Sequence, residues 1–353
     1  MSNNLLERLS KIGLKSEQLA DSKVYHKRDL IDTEIPILNV ALGGEFDSGL
    51  GSGVIVLAGP SKHFKSNTGI LMVAAFLRKH KDGICLFYDS EFGSPPTYWS
   101  NFGIDVSRVL HVPIQNIEEM KQDMPQKLND ISDKDKVIIF VDSIGNLASK
   151  KEATDVLEGK STVDMTRARE MKSFFRIVTP QIKLRNIPAI FVAHTYQTME
   201  MFSKAVVSGG TGIYYSADII IIFGRQQEKE GTVVTGFNFI LNIEKSRFVK
   251  EKSKIPLTVL YDSGINKWSG LLDIALESGH VIKPKNGWYA MVDKDTGEVS
   301  GNVRFDATQT EDFLGKVLQS PSFVEYVKNK YLLGGISNPS DVSEDVYSED
   351  EIE

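Results

Sequence analysis

The segment that most constrains the fold lies in the first quarter of the chain and reads Gly59, Pro60, Ser61, Lys62, His63, Phe64, Lys65, Ser66. Apolar residues 54–58 precede it and helix-forming residues 67–78 follow it. This order of strand, loop and helix is that of a phosphate-binding loop, in which backbone N–H groups at the helix start cradle the anion. Lys65 can reach the β and γ phosphates of a nucleotide, and the Ser66 hydroxyl can hold Mg²⁺. The segment therefore predicts a nucleotide site.

One position of this loop departs from the usual pattern. Phe64 stands where a second glycine is common. An aromatic residue is strained wherever the backbone needs a positive φ, because its Cβ atom disfavours that region. We therefore expect either a slightly different loop shape or local strain at Phe64. The alternative for the whole segment is a chance Lys-Ser pair after a Gly-Pro turn.

Short apolar runs alternate with helical segments along the rest of the core. Buried parallel strands with crossover helices have this pattern. The predicted strands are residues 84–88, 137–141, 189–193 and 218–223, with residues 236–244 and 255–261 as an antiparallel extension. The fold class is therefore α/β with a mostly parallel central sheet. Ligands are expected at the carboxyl ends of its strands.

Two smaller units flank this core. Apolar residues at helical spacing predict an amphipathic helix over residues 3–20, which Gly13 can end or kink. Such a helix either packs on its own domain or docks on a neighbouring copy. A helix at residues 271–276, a hairpin at residues 279–289 and mostly helical residues 312–331 predict a small C-terminal subdomain.

Acidic residues follow two of the predicted strands. One strand ends in Asp142, which can hold Mg²⁺ through water beside a bound phosphate. Another ends in Asp89, with Glu91 two residues further on. A carboxylate at this edge can orient and deprotonate the water that attacks a γ phosphate. We assign that role to Glu91, with Asp89 as the alternative. His194 follows a third strand and can sense the γ phosphate, although a lone histidine is more often structural.

Two polar segments between strand ends carry basic, apolar and glycine residues. They are residues 146–164, which lead into a basic helix, and residues 195–212. Positive charge attracts a phosphate backbone, apolar side chains can insert between bases, and glycine lets N–H groups approach phosphate. A solvated surface is the alternative, but the combination favours binding of a single-stranded nucleic acid. The candidate DNA-binding residues are Lys150, Lys151, Arg169, Arg176, Phe202, Lys204, Gly209 and Gly210.

Composition narrows the class of protein. A hydrophobic content of 41% fits a globular core. No apolar run approaches the roughly 18 residues that cross a bilayer, and the first residues do not read as a signal peptide. We therefore expect a cytoplasmic protein without membrane contact. The only cysteine, Cys85, lies in an apolar run and is expected to be a small buried hydrophobe.

Negative charge is concentrated at the C-terminus. Residues 341–353 contain seven acidic residues and neither lysine nor arginine, whereas the whole chain carries −6. The remainder is therefore close to neutral and can carry a basic groove. A tail of this charge either competes with nucleic acid for that groove or keeps the chain soluble.

Taken together, these motifs resemble those of RecA-family recombinases, and most closely the UvsX branch from T-even-like bacteriophages. The resemblance extends from about residue 33 to about residue 331. Its most specific segments are residues 59–66 with the missing glycine, and residues 87–93, 142–152 and 200–204. The phage branch shares Phe64, so the resemblance implies an active nucleotide site.

The resemblance implies roles for residues around that site. Glu91 matches the catalytic glutamate, and His194 stands where bacterial members have a glutamine that couples the γ phosphate to the second DNA loop. Lys245 and Arg247 match a cationic pair that reaches into the ATP of the next subunit. Hydrolysis would then depend on a neighbour in a filament.

Further matches concern the base and the DNA. Tyr98 and Tyr261 match the aromatic residues against the adenine. Arg169, Arg176, Gly209 and Gly210 match positions in or beside the two DNA loops of the family. In this family the N-terminal helix docks on an adjacent protomer, which favours docking for residues 3–20.

The function implied is ATP-dependent homologous recombination. Copies would form a filament on single-stranded DNA, with ATP and Mg²⁺ at each interface, and exchange strands with double-stranded DNA. A phage single-stranded DNA-binding protein and a recombination mediator are further expected partners. The expected parts are a protomer-interaction segment at residues 1–30, an ATPase core at 31–267, a C-terminal subdomain at 268–335 and an acidic flexible tail at 336–353.

Two alternatives belong to other classes of protein. A ring-forming replicative helicase has the same core but needs a ring-building domain before it. A DNA-coating or mediator protein could retain the fold without hydrolysing ATP, but the presence of Lys65, Asp142 and Glu91 argues against that class.

Overall fold

The computed structural model describes residues 3–14, 16, 18–19, 29–132, 134–159, 165–197, 205–230, 233–262 and 264–334. Its α-helices are α1 (Asn3–Ser10), α2 (Pro36–Gly43), α3 (Lys65–Lys79), α4 (Pro96–Ser100), α5 (Ile117–Asp130), α6 (Lys150–Leu157), α7 (Thr166–Leu184), α8 (Thr211–Ser216), α9 (Leu271–Glu277), α10 (Phe305–Thr308), α11 (Lys316–Leu318) and α12 (Pro321–Tyr331). A 3₁₀ turn at Val106–Arg108 and a π turn at Glu311–Gly315 accompany them.

The strands are β1 (Gly53–Ala58), β2 (Ile84–Asp89), β3 (Val109–Pro113), β4 (Val137–Asp142), β5 (Pro188–Ala193), β6 (Thr195–Gln197), β7 (Ala205–Val207), β8 (Ile219–Glu230), β9 (Val233–Ser246), β10 (Lys254–Leu260), β11 (Gly264–Ile265), β12 (Val281–Lys285) and β13 (Trp288–Met291). Nine of them form one sheet in the order β11-β10-β9-β8-β1-β5-β4-β2-β3. The strands from β8 to β3 pair in parallel, and β8 to β11 pair antiparallel. The expected α/β class, with a mostly parallel sheet and an antiparallel extension, is confirmed.

Burial on both faces explains why the central strands read as continuous apolar runs. Every residue of β1, β4 and β5 is buried. One face packs against α2 and α3 and continues into the C-terminal elements, whereas the other packs against α5 and α7. Cys85 of β2 lies in the first of these layers, as expected. The parallel strands thus share one carboxyl edge, where the candidate site lies.

The structure differs from the sequence-based prediction in several elements. Helix α6 occupies part of the expected polar loop at residues 146–164, and edge strand β3 was not expected. Helix α1 ends at Ser10, before the positive φ of Gly13. The expected helix at residues 312–331 is interrupted, because Pro321 cannot continue the helix that precedes it and instead starts α12.

The C-terminal part of the chain forms a hairpin that is surrounded by short helices. Strands β12 and β13 form the expected hairpin, with α9 to α12 around it. Among the described residues, no helix has the length and apolar character needed to span a bilayer. Phe202, Lys204 and the tail at 336–353 lie outside the described residues.

Candidate active site

The phosphate loop connects β1 to α3. Phe64 precedes the first residue of α3 and has φ 62° and ψ 15°, in the left-handed region. The aromatic residue therefore occupies the conformation that glycine would adopt without strain. Its ring stacks on Phe239 of β9 at 5.3 Å between centroids, and this packing opposes the backbone strain. Of the two expectations for this position, the structure shows local strain.

Lys65 is the first residue of α3 and is buried against the loop. Its Nζ donates a hydrogen bond to the carbonyl oxygen of Pro60 at 2.7 Å. Burial lowers its pKa, while the nearby charges of Glu91 and Asp142 raise it. The ammonium thus lies inside the loop with two carboxylates close by, where it can bind phosphate.

Asp142 ends β4 and lies beside Asp89 in the register of the parallel pair β2–β4. It is only 4% exposed and accepts a hydrogen bond from the Ser66 side chain. Burial raises its pKa to about 6, and the charges of Glu91 and Asp89 add to the effect. Its Oδ1 is buried and has no hydrogen-bond partner among the described residues. A buried carboxylate oxygen without a partner, next to a serine hydroxyl, fits a magnesium ion that also binds phosphate.

Glu91 lies beyond the end of β2, and its side chain is 31% exposed. Its Oε1 accepts hydrogen bonds from Ser143 Oγ at 2.7 Å and Asn146 Nδ2 at 3.1 Å. His194 Nε2 lies 3.2 Å from the same oxygen. The pKa of Glu91 is lowered, mainly by the hydrogen bond from His194. Burial opposes this effect, and the hydrogen bond from Ser143 adds to it. Glu91 is therefore an ionised carboxylate, and its Oε2 takes no part in these three contacts.

Asp89 has a different environment from Glu91. It is 4% exposed, and its Oδ1 accepts hydrogen bonds from the backbone N–H groups of Glu91 and Phe92 at 3.0 and 2.8 Å. Its Oδ2 lies 3.2 Å from Nε2 of His111. Asp89 thus shapes the turn that carries Glu91, which favours Glu91 over Asp89 as the general base.

His194 follows β5 and packs closely on the turn after β4. A Cβ atom at Gly145 would lie 2.4 Å from the His194 ring, so only glycine allows this approach. Arg167 of α7 donates to the carbonyl oxygens of Ile144, Gly145 and Leu147 at 2.8 to 3.1 Å. Arg167 was part of the expected basic helix, but its guanidinium supports this turn. The sequence did not predict that role.

Two aromatic residues expected near the adenine lie at separate places around the loop. Tyr98 of α4 is partly buried and hydrogen-bonds Asn67, in the first turn of α3. Tyr261 is exposed at the end of β10 and contacts Phe237 edge-on at 5.8 Å. Arg225, which the sequence did not point to, stacks on the same Phe237 at 4.7 Å and donates to the Lys62 carbonyl at 3.2 Å.

Lys245 and Arg247 do not join the other candidate residues. Arg247 Nε donates to Asp218, whose other oxygen accepts from the backbone N–H of Val54 at the start of β1. Lys245 Nζ donates to the Tyr214 carbonyl at 2.6 Å. The phosphate loop follows the other end of β1, a strand that spans about 20 Å. Within one chain, Arg247 is therefore about a strand length from Lys65.

The described candidate DNA residues lie on contiguous elements. Lys150 and Lys151 begin α6, while Arg169 and Arg176 are exposed on α7. Lys151 is paired with Asp155 at 2.5 Å. Gly209 and Gly210, with φ 117° and 74°, lead into α8. Both α6 and α8 contact α7.

Two known domain families together match most of this chain. The RecA N-terminal domain matches residues 12–266, and the C-terminal domain of the bacteriophage T4 recombination and repair protein matches residues 268–327. The chain belongs to the RecA family. The recognition of this family from sequence motifs is thus confirmed.

Individual relatives agree with the family matches. The recombination and repair protein of Enterobacteria phage T4 is 48% identical over 334 residues, which cover 93% of this chain and 85% of that protein. Protein RecA of Tropheryma whipplei is 28% identical over 88% of this chain and 68% of its own length. Protein RecA of Clostridioides difficile is 27% identical over 78% of this chain and 77% of its own length. This close relationship confirms the expected recombinase function and gives no support to the helicase and mediator alternatives.

Proposed function

We propose that this RecA-family protein hydrolyses ATP in filaments of its own copies on single-stranded DNA, and that it exchanges that strand with a homologous duplex. One observation carries the proposal. Lys65, Ser66, Asp142 and Glu91 converge at one edge of the sheet, whereas Lys245 and Arg247 lie near the other. A site divided in this way would be completed by a neighbouring copy.

The phosphate loop would bind the triphosphate. Its backbone N–H groups and the start of α3 supply the anion site, and Lys65 would exchange the Pro60 carbonyl for phosphate oxygens. Ser66 and Asp142 would hold Mg²⁺, which when bound offsets the charge of the β and γ phosphates. Tyr98, beside α3, and Tyr261, at the end of β10, are our candidates for adenine contacts.

Glu91 would act on the attacking water. Its ionised carboxylate can accept a proton, and three donors on Oε1 fix its orientation. His194 would report the γ phosphate to the residues of the second DNA loop, because it follows β5 and precedes that segment directly. Lys245 and Arg247 of a neighbour would stabilise the charge that develops on the transferred phosphoryl group.

Single-stranded DNA would bind along α6, α7 and the glycines before α8. The exposed cations there suit a phosphate backbone, and base pairing itself would read the sequence. Double-stranded DNA is the second substrate of the proposed reaction. A phage single-stranded DNA-binding protein and a mediator remain expectations from the family, as does the host-cell cytoplasm as the place of action.

ATP hydrolysis with and without single-stranded DNA, across a protein-concentration series, tests this function. We expect DNA to stimulate turnover and the stimulation to rise cooperatively with protein concentration. Glu91→Gln should still bind a fluorescent ATP analogue but lose about 10²- to 10⁴-fold in turnover, the usual contribution of a general base. Hydrolysis that ignores DNA would contradict the proposal, and normal turnover by Glu91→Gln would reassign the base.

A further inference from the structure

A buried carboxylate lies close to Lys245 and Arg247, the two cations proposed to act on the ATP of a neighbouring copy. Asp218 directly precedes β8 and is 6% exposed. Its Oδ1 accepts hydrogen bonds from Arg247 Nε at 2.6 Å and Lys183 Nζ at 2.7 Å. Its Oδ2 accepts the backbone N–H of Val54 at 3.1 Å. Three donors, from β1, from α7 and from the residue that follows β9, therefore meet on one side chain.

The position of this carboxylate is fixed by the central strand of the sheet. Gly53 begins β1 with φ 114°, and a Cβ atom there would lie 2.4 Å from Asp218 Oδ2. The carboxylate thus packs directly on the β1 backbone and also bonds the next amide along. A side chain that Asp218 binds is therefore held in a fixed position relative to β1, the strand that ends at the phosphate loop.

Arg247 is held by only one of its nitrogens. Its side chain is 57% exposed, and its Nη groups have no hydrogen-bond partner among the described residues. The guanidinium of Arg167 differs, because three backbone carbonyls occupy it. A guanidinium anchored through Nε can present its two Nη groups to an oxyanion outside the chain.

Asp218 also lies among several positive charges. Burial lowers the pKa of Lys245. The nearby charges of Arg247 and Lys183 lower this pKa further, whereas the charge of Asp218 raises it. Without the carboxylate, three cations would repel each other at this edge. The carboxylate therefore keeps the cations together as well as orienting one of them.

We propose that Asp218 is a positioning residue for ATP hydrolysis: it holds Arg247 in the orientation that reaches the phosphates bound by the neighbouring copy. This inference rests on the proposed function, in which Arg247 acts on a neighbour's ATP. Asp218 itself touches no substrate. Its loss should therefore slow turnover on DNA and leave nucleotide binding by the single chain intact.

The test compares DNA-stimulated turnover at saturating ATP for Asp218→Asn, Asp218→Ser and the wild type. Both variants remove the charge, and Asn keeps a side-chain oxygen as acceptor for the Val54 N–H. We expect turnover to fall about tenfold to a hundredfold, the range that a misplaced catalytic group costs. Affinity for a fluorescent ATP analogue without DNA should stay within about twofold. Asp123→Asn is the matched control, because Asp123 also accepts from a lysine and another donor, Lys127 and Tyr88, away from this edge.

Repeating the substitution in an Arg247→Ala variant distinguishes the positioning of Arg247 from a general contribution of Asp218 to the fold. If Asp218 acts through Arg247, Asp218→Asn should not slow an Arg247→Ala variant any further. An equal additional loss of turnover in the Arg247→Ala variant would overturn the inference. So would turnover of the Asp218 variants within twofold of the wild type, or failure of both Asp218 variants to fold. A wild-type protein that DNA does not stimulate would instead overturn the proposed function, and this is visible without any variant.

Discussion

At the scale of single residues, the site combines groups that are costly for the fold. Asp142 is a buried carboxylate with one oxygen that has no partner in the described part of the chain, and Phe64 is an aromatic residue with left-handed backbone. The sequence predicted both positions, because each belongs to a short motif. It could not predict how each is supported, since the Phe64–Phe239 stack depends on a strand far along the chain.

The raised pKa of Asp142 has a consequence for stability. Burial raises this pKa to about 6, above the roughly 3.9 of an aspartate in water. The native state therefore holds the proton more tightly than the unfolded chain does. The free energy of unfolding therefore falls as pH rises from about 4 to about 6 and stays lower above that window. Asp142→Asn removes the charge. Without nucleotide, it should be more stable than the wild type by about 2–3 kcal/mol at pH 7.5.

Urea unfolding between pH 4.5 and 7.5 measures this difference. The advantage of Asp142→Asn should shrink as pH falls toward 4, where both proteins carry a neutral side chain. Magnesium should no longer tighten nucleotide binding by the variant. An Asn variant that is less stable than the wild type at pH 7.5 would show that Asp142 is not held at a cost in the nucleotide-free protein.

At the scale of elements, the buried parallel strands were the easiest to predict. Their apolar runs are continuous because both faces are covered. Strand β3 was missed because it lies at the sheet edge and its sequence shows little alternation between apolar and polar residues. Helix α6 was missed although Ser149, three residues before Glu152, accepts from its N–H as an N-cap. Asp218 could not be recognised, because its contacts depend on the packing of β1, β9 and α7.

The packing of α8 on α7 suggests a direct test of an element contact. A Cβ atom at Gly212 would lie 2.6 Å from the Lys172 Cα, a backbone atom that cannot move aside cheaply. Gly212→Ala should therefore destabilise the protein by about 1–3 kcal/mol through overpacking. Gly301→Ala is the matched control, since a Cβ atom there meets nothing within 4 Å. Chemical denaturation of both variants checks this, and equal stabilities would mean that α8 does not pack on α7 this closely.

At the scale of the whole molecule, one sheet presents two different surfaces to its neighbours. The carboxyl edge of the parallel strands carries the phosphate loop, Asp142 and Glu91, whereas Arg247 lies near the start of β1. If copies stack head to tail, the second surface of one copy meets the first surface of the next. Each site would then belong to two chains, and two different defects could compensate each other.

Mixing two inactive variants tests that arrangement. Glu91→Gln retains Arg247, and Arg247→Ala retains Glu91, so a site becomes complete where an Arg247→Ala copy binds the nucleotide and a Glu91→Gln copy adjoins it. In a head-to-tail filament of an equal random mixture, about a quarter of the sites are of this kind. DNA-stimulated turnover of the mixture should therefore approach a quarter of the wild-type rate, although each variant alone is nearly inactive. The control mixes Glu91→Gln with the double variant, which offers no complete site and should stay inactive. If Arg247 serves the nucleotide of its own chain instead, the first mixture will show only the average of its two components.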